Sequence, residues 1–248
     1  MGYTRAEAIM IPLGMVVVLL LGITLRRLLK EKDHRVREIP LQVLAVMILV
    51  LEVIKQIYHL FIMRDWEPWD LPMHFCSFFL IWFTFALFSR GQVRQLAYSC
   101  CLCGGVLVTI MLLACPRMIV NVACQNIFGS FPSFHTYIFH FTVVAYWEWL
   151  LLLRVYQPNK NHIWQTTLLY MASFVLIIIA AFAFNTNYTN VLTTDIGILE
   201  NLRLSAGQFV YDLLLYLGGT AMIAAVATVV YFTTNATARR LNRLDRQA

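Results

Sequence analysis

Long apolar runs separated by short charged breaks dominate the chain. Seven of these runs approach the roughly 20 residues that a helix needs to cross a bilayer. They lie at about 8–25, 41–62, 71–89, 95–115, 133–153, 163–184 and 207–232. The pattern predicts an all-α, polytopic membrane helix bundle with about seven transmembrane helices. We expect one transmembrane domain over 1–248, with a short basic tail over 233–248.

The composition supports a membrane protein. Of the 248 residues, 60% are hydrophobic and 13% are charged, whereas soluble domains average about 45–50% apolar and about 25% charged residues. A water-soluble domain, a disordered chain and a nucleic-acid-binding module are therefore excluded, and the bilayer is the expected partner.

The distribution of basic residues predicts the orientation. Of the 19 Lys and Arg residues, 14 lie in the first, third and fifth loops and the C-terminal tail, and only four lie on the other side. Because cytoplasmic loops carry the excess of Lys and Arg, the N-terminus is predicted outside and the C-terminus in the cytoplasm. In a bacterium the location would be the multi-pass cytoplasmic cell membrane.

Two pairs of adjacent glycines interrupt the apolar runs, Gly104-Gly105 and Gly218-Gly219. Small residues let membrane helices approach closely. We therefore interpret both pairs as sites of close helix packing.

In this orientation, uncharged polar and titratable side chains collect in the outer half of the bundle. They come from the ends of several runs, and we expect them to share one pocket near the outer lipid headgroups. The members are His59, His74, Cys76, His135, His140, Asn187, Tyr188 and Asp212.

The second run carries a polar face. Glu52, Lys55, Gln56 and His59 are spaced i, i+3, i+4 and i+7, which places them on one side of a helix. Ionisable groups in a membrane are costly and usually face the bundle interior. Two interpretations stay open: a Glu52–Lys55 pair that fixes helix register, or a polar wall of the pocket.

Cys76 is the candidate nucleophile. It lies near a predicted helix N-terminus, with His74 close by in sequence, and both features favour the thiolate form. A thiolate can carry out covalent acyl transfer. The alternative is an ordinary small buried residue, since free cysteines are commonly buried.

His135 and His140 are the candidate general bases. They are five positions apart, so they point about 140° apart around a helix. His135 is expected at the same depth in the membrane as Cys76, and His140 is expected deeper. For each histidine the alternative role is a structural hydrogen bond to a neighbouring helix. Asp212 is a candidate to orient a histidine, as the third member of a triad does, or to form a structural hydrogen bond.

Several of these residues lie in recognisable motifs. Residues 71–77, LPMHFCS, and 133–140, SFHTYIFH, together with 186–188, TNY, resemble signatures of the YwaF-like integral membrane family. That family is similar to the eukaryotic transmembrane protein 164 group, for which phospholipid acyltransferase activity through a cysteine is proposed. The resemblance covers essentially the whole chain. It implies that Cys76 is that cysteine and that His140 or His135 is its partner.

These observations lead to one main function and two rivals. The main hypothesis is a lipid acyltransferase or acyl-ester hydrolase that acts on a phospholipid or another acyl lipid without a cofactor or metal. Asn187 and Tyr188 would line its pocket or stabilise an oxyanion. The first rival is a metal-dependent membrane hydrolase that uses the same His, Cys and Asp side chains. The second is a transporter, channel or sensor in which Glu52 and Lys55 mark a solute or proton path. The sequence leaves the oligomeric state open.

Overall fold

The computed structural model describes residues 5–120, 126–194 and 196–245, apart from the side chains of 117–118 and 237–245. Every regular element in the described part is helical, which confirms the predicted all-α class. The helices are α1 Arg5–Leu29, α2 His34–Ile57, α3 Phe78–Phe88, α4 Gly91–Ala114, α5 Pro116–Ile119, α6 Phe131–Leu152, α7 Asn161–Ala183, α8 Gly197–Ala206 and α9 Gln208–Asp245.

A π-helical segment, Tyr58–Met63, continues α2. Short 3-10 turns lie at Pro68–Asp70, Phe75–Ser77 and Tyr188–Asn190.

Within the described residues, five helices are long and apolar enough to cross a membrane. They are Arg5–Leu29, His34–Met63, Gly91–Ala114, Asn161–Ala183 and Gln208–Ala236. Large aliphatic side chains such as Leu20, Leu176 and Val229 are more than half exposed along these helices. Exposed apolar surface on this scale suits a lipid environment.

The predicted third run, 71–89, does not form one helix. Its first part folds into turns, and α3 itself has 11 residues, about 16 Å at 1.5 Å per residue. That length is about half of a hydrocarbon core of roughly 30 Å. Pro72 and the extended backbone of His74, with φ −76° and ψ 155°, delay the start of the helix.

The predicted fifth run corresponds to α6, which has 22 residues but is not among the five apolar helices. The eight residues from Phe139 to Tyr146 are all buried. Neighbouring helices cover α6, so its composition need not match lipid. It runs parallel to α1: the Tyr137 hydroxyl donates to the Met10 carbonyl (2.9 Å) and the Trp149 indole donates to the Val18 carbonyl (3.1 Å).

At the centre of the bundle, α4 packs against α3, α6, α7 and α9. A Cβ added at Gly104 would lie 2.1 Å from the Tyr170 hydroxyl, and Gly105 and Gly219 also face a side chain at under 3 Å. The predicted close packing therefore holds at these three glycines. It is wrong for Gly218, where a Cβ would meet open space.

Candidate functional site

Four segments meet at one end of the bundle: the end of α2 with its π-helical continuation, the chain over 64–77, the start of α6, and the turn Tyr188–Asn190. The helical path ends at Arg64, whose left-handed backbone (φ 56°) turns the chain. Glu67 and Asp70 then cap the turn that leads toward His74, because the side chain of each accepts from the backbone of the other. This local chemistry brings the His74–Cys76 segment back to the end of α2.

Glu52 forms the charged centre of this end and is buried, with 8% of its surface exposed. Its Oε1 lies 2.9 Å from the Lys55 ammonium and accepts a 2.9 Å hydrogen bond from Gln56. Its Oε2 lies 3.3 Å from Nε2 of His135. This is a close contact, although Nε2 of His135 has no hydrogen-bond partner of good geometry among the described residues. These contacts combine the two predicted interpretations of the polar face. Glu52 pairs with Lys55 on its own helix, and the same carboxylate contacts His135 on α6.

Gln56 and His59 attach this polar face to the chain that follows. The Gln56 amide donates to the Asp70 carbonyl (2.7 Å) and accepts from the Trp66 indole (3.0 Å). His59 contacts Asp65 through Nδ1 (2.9 Å) and approaches the Asp70 carboxylate through Nε2 (3.7 Å). These contacts hold the loop against α2.

His74 lies between the rings of Trp69 and Tyr188, with ring centroids 4.3 and 5.2 Å away. Its Nδ1 accepts a long hydrogen bond, 3.5 Å, from the Thr189 amide. That bond leaves the ring proton on Nε2. The imidazole also interacts with the Trp69 backbone carbonyl. However, Nε2 is buried and has no hydrogen-bond partner among the described residues. A buried N–H donor without a partner is rare in folded proteins.

His140 is buried on α6, and its Nδ1 lies 2.7 Å from the Thr136 carbonyl one turn earlier. A carbonyl can only accept, so Nδ1 carries the proton and Nε2 has a free lone pair. His135 lies five residues earlier on the same helix, α6, and is also buried.

Cys76 is partly buried in the turn Phe75–Ser77, two residues after His74. It packs against the main apolar core. No hydrogen bond joins its thiol to a histidine anywhere in the described part of the chain. Catalytic contacts in ligand-free proteins are often long and tighten when substrate binds.

Asp212 lies in a different cluster. It accepts a 2.9 Å hydrogen bond from Gln208, which also donates to the Val191 carbonyl. Arg203 pairs with Glu200 nearby, and this hydrogen-bonded guanidinium lowers the pKa of Glu200. None of the partners of Asp212 in the described chain is a histidine. Of the two candidate bases, His135 faces a carboxylate, and that carboxylate belongs to Glu52.

Asn187 and Tyr188 have structural partners. The Asn187 amide donates to Thr193, and its carbonyl accepts from the backbone N–H groups of Leu192 and Thr193. The Tyr188 hydroxyl donates to the Pro68 carbonyl, and burial raises the pKa of Tyr188. The polar side-chain atoms of both residues are therefore already engaged in contacts within the protein.

Two threonines that the sequence did not assign to the site, Thr136 and Thr189, help to build it. Thr136 supplies the carbonyl that orients His140, and the Thr189 hydroxyl accepts from the Phe75 amide at 2.9 Å. The left-handed backbone of Thr189 (φ 52°) makes this contact possible. Backbone carbonyls and strained turns carry no signal in a single sequence.

Across the described residues, no three His, Cys, Asp or Glu side chains converge as metal ligands would. The nearest arrangements are pairs, such as Glu52 with His135. The hypothesis of a metal-dependent hydrolase therefore has no ligand set among the described residues.

A comparison with known protein families matches residues 2–238 to the TMEM164 family. No curated protein and no solved structure matches the chain. The match covers nearly the whole sequence, in agreement with the resemblance of its motifs. This membrane helix bundle belongs to the TMEM164 family.

Proposed function

We propose that the protein is a membrane acyltransferase or acyl-ester hydrolase that uses Cys76 as nucleophile and His140 as general base. The observation that carries the proposal is the orientation of His140. Its Nδ1 is bound to the Thr136 carbonyl, which leaves the lone pair of Nε2 free to take a proton. His135 is the alternative base.

The reaction proceeds in two steps. The Cys76 sulfur attacks the carbonyl carbon of an acyl ester while its proton passes to Nε2 of His140. The carbon–oxygen ester bond then breaks, and the same proton goes to the departing alkoxide, which leaves a thioester on Cys76. In the second step an alcohol of an acceptor lipid, or water, attacks the thioester carbon while its proton passes to His140. The carbon–sulfur bond breaks, the acyl group leaves on the acceptor, and His140 returns the proton to the Cys76 thiolate.

His74 and Glu52 assist this chemistry. The Nε2–H of His74 makes no hydrogen bond of good geometry in the described chain, so it is available to donate to the carbonyl oxygen as that oxygen gains negative charge, which is the role of an oxyanion hole. Glu52, held by Lys55 and Gln56, attracts His135 and fixes the electrostatic environment of that imidazole.

A phospholipid is the substrate that fits the depth of the site. Trp66 and Trp69 lie beside it and are 37% and 52% exposed, and tryptophan is enriched where a membrane meets water. Phospholipid ester groups lie at that depth. With the N-terminus outside, as the basic loops predict, this would be the outer leaflet.

The test is acyl turnover by the full chain in liposomes that contain a labelled phospholipid and an unlabelled lysophospholipid. Cys76→Ala should abolish formation of both transferred and hydrolysed acyl product. Cys115→Ala is the matched control, because it removes another partly buried thiol, and it should retain turnover. Equal turnover in Cys76→Ala and the wild type would refute the cysteine mechanism.

His140→Asn separates the two candidate bases. An asparagine keeps a polar group in the buried site but does not take up a proton. We expect turnover to fall by about 100-fold or more, the contribution of a general base, while His135→Asn retains more activity. The reverse order would make His135 the base.

The buried Glu52–Lys55 pair in a candidate span favours one other function, transport of a proton or small solute. Proton or solute flux across the membrane of liposomes that contain the protein distinguishes transport from acyl transfer. Transport would be favoured if the wild type shows flux, Glu52→Gln does not, and neither protein forms acyl product.

A further inference from the structure

A basic cleft opens at the end of the bundle opposite the candidate site. It has a volume of about 470 Å³ and lies between the end of α1, the start of α2 and the end of α6. Five cationic side chains line it: Arg26, Arg27, Lys30, Arg37 and Arg154. Aliphatic side chains of α1 and α6, including Leu29 and Leu152, form the rest of its wall. From His135 to Leu152 along α6 is about 26 Å, so the cleft and the candidate site are separate.

The positive charge of this cleft is barely compensated. Lys30 lies 3.4 Å from Glu31, and both side chains are mostly exposed. None of the four arginines pairs with a carboxylate among the side chains that the structure describes. The nearby carboxylate Glu38 is already occupied by Arg94 at 3.0 Å. Four guanidinium groups around one concave space therefore lack a counter-charge.

Two of the arginines are held in place by the backbone. Arg37 donates through Nη1 to the Leu153 carbonyl at 3.1 Å, while its Nε is buried without a hydrogen-bond partner in the described chain. Arg154 has a left-handed backbone, with φ 54°. Such a conformation is uncommon for a residue with a side chain. It allows Arg154 to line the cleft directly after α6 ends.

We propose that the basic cleft binds the phosphate group of an anionic membrane phospholipid. Guanidinium groups match the geometry of phosphate oxygens and form strong charge-assisted hydrogen bonds with them. The aliphatic part of the wall suits the start of an acyl chain. A zwitterionic headgroup brings its own cation, which the five basic side chains would repel, so the net-negative headgroup is preferred. The cleft lies on the side of the membrane with the excess of basic residues.

Native mass spectrometry of the purified full chain in a non-ionic detergent tests this proposal. Phosphatidylglycerol is titrated in one arm, phosphatidylcholine in a second, and soluble glycerol phosphate in a third. Arg154→Gln is the main variant, because the side chain of Arg154 makes no hydrogen bond to the residues that the structure describes. Arg35→Gln is the matched control: it removes one exposed charge from the same basic side but does not line the cleft.

Loss of one hydrogen-bonded charge should weaken phosphatidylglycerol binding at least about tenfold in Arg154→Gln, and Arg35→Gln should stay within about twofold of the wild type. Arg37→Gln should weaken it further, and unfolding temperatures identify any loss of folded protein. Equal binding by Arg154→Gln and the wild type would overturn the site. Equal affinity for phosphatidylcholine would overturn the charge preference. Equal affinity for glycerol phosphate would assign the cleft to a soluble phosphate instead of a lipid.

Discussion

Gly104 is a position at which the packing between helices leaves no room for one added methyl group. It lies on α4, the candidate span with the largest buried share, 67% of its most apolar stretch. A Cβ there would lie 2.1 Å from the Tyr170 hydroxyl and 2.8 Å from Cζ of Phe79. That hydroxyl donates to the Cys100 carbonyl at 3.0 Å. Gly104→Ala therefore forces Tyr170 away and breaks this hydrogen bond.

Three effects set the magnitude. Overpacking a core costs about 1–3 kcal/mol, and loss of the Tyr170 hydrogen bond costs about 0.5–1.5 kcal/mol. Alanine offsets part of this, because it is about 0.5–1 kcal/mol better than glycine inside a helix. The net expectation is a loss of about 2 kcal/mol in the free energy of unfolding.

Gly218→Ala is the matched control, since its methyl group would meet open space. It should be neutral or stabilising by up to about 1 kcal/mol. Reversible unfolding in mixed detergent micelles measures both variants. If Gly104→Ala proves as stable as Gly218→Ala, the close approach of α4 and α7 is wrong.

The same substitution also links packing to the candidate site. The Phe75 ring contacts both Tyr170 and Phe174, at centroid distances of 5.6 and 5.8 Å. Displacement of Tyr170 should therefore move Phe75, the residue before Cys76. We expect acyl turnover per folded molecule to fall in Gly104→Ala and to be unchanged in Gly218→Ala.

Three further substitutions test other contacts. Glu38→Ala leaves Arg94 without its 3.0 Å partner in a buried site and should lower the unfolding free energy by about 3–5 kcal/mol; a loss under about 1 kcal/mol in micelle unfolding would contradict the pairing. Tyr188→Phe removes the hydroxyl that links its turn to the chain before α3, so hydrogen exchange there should accelerate while α7 exchanges as before. Arg203 lowers the pKa of Glu200, so their pairing stabilises α8 above the ordinary carboxyl pKa and is lost as pH falls through the lowered value. Protection of α8 amides against hydrogen exchange should therefore fall in acid. Glu200→Gln should remove that pH dependence.

Apolar runs that end in charged residues predicted most helices well. The runs 8–25, 95–115 and 163–184 lie within a few residues of α1, α4 and α7. Lipid-facing helices can be recognised in a sequence because their side chains must be apolar to match the bilayer. The same reasoning is weaker for α6, which other helices cover, and for the run that begins at residue 71, where the turns depend on contacts with Thr189.

The candidate site was predictable only within single helices. The spacing of Glu52, Lys55 and Gln56 predicts one polar face, and the structure joins all three by contacts of 2.9 Å. The partner of Glu52 on α6, His135, could not be predicted, because a single sequence does not state which helices are neighbours. For the same reason Asp212 was a plausible partner for a histidine, although it lies beside Gln208.

Intact-mass spectrometry of the full chain after incubation with phospholipid tests the proposed mechanism most directly. The wild type and Cys115→Ala should gain the mass of one acyl chain, and Cys76→Ala should gain none. His140→Asn should acquire the increment more slowly. An increment of equal size and rate in Cys76→Ala, or no increment on the wild type, would contradict a thioester on Cys76.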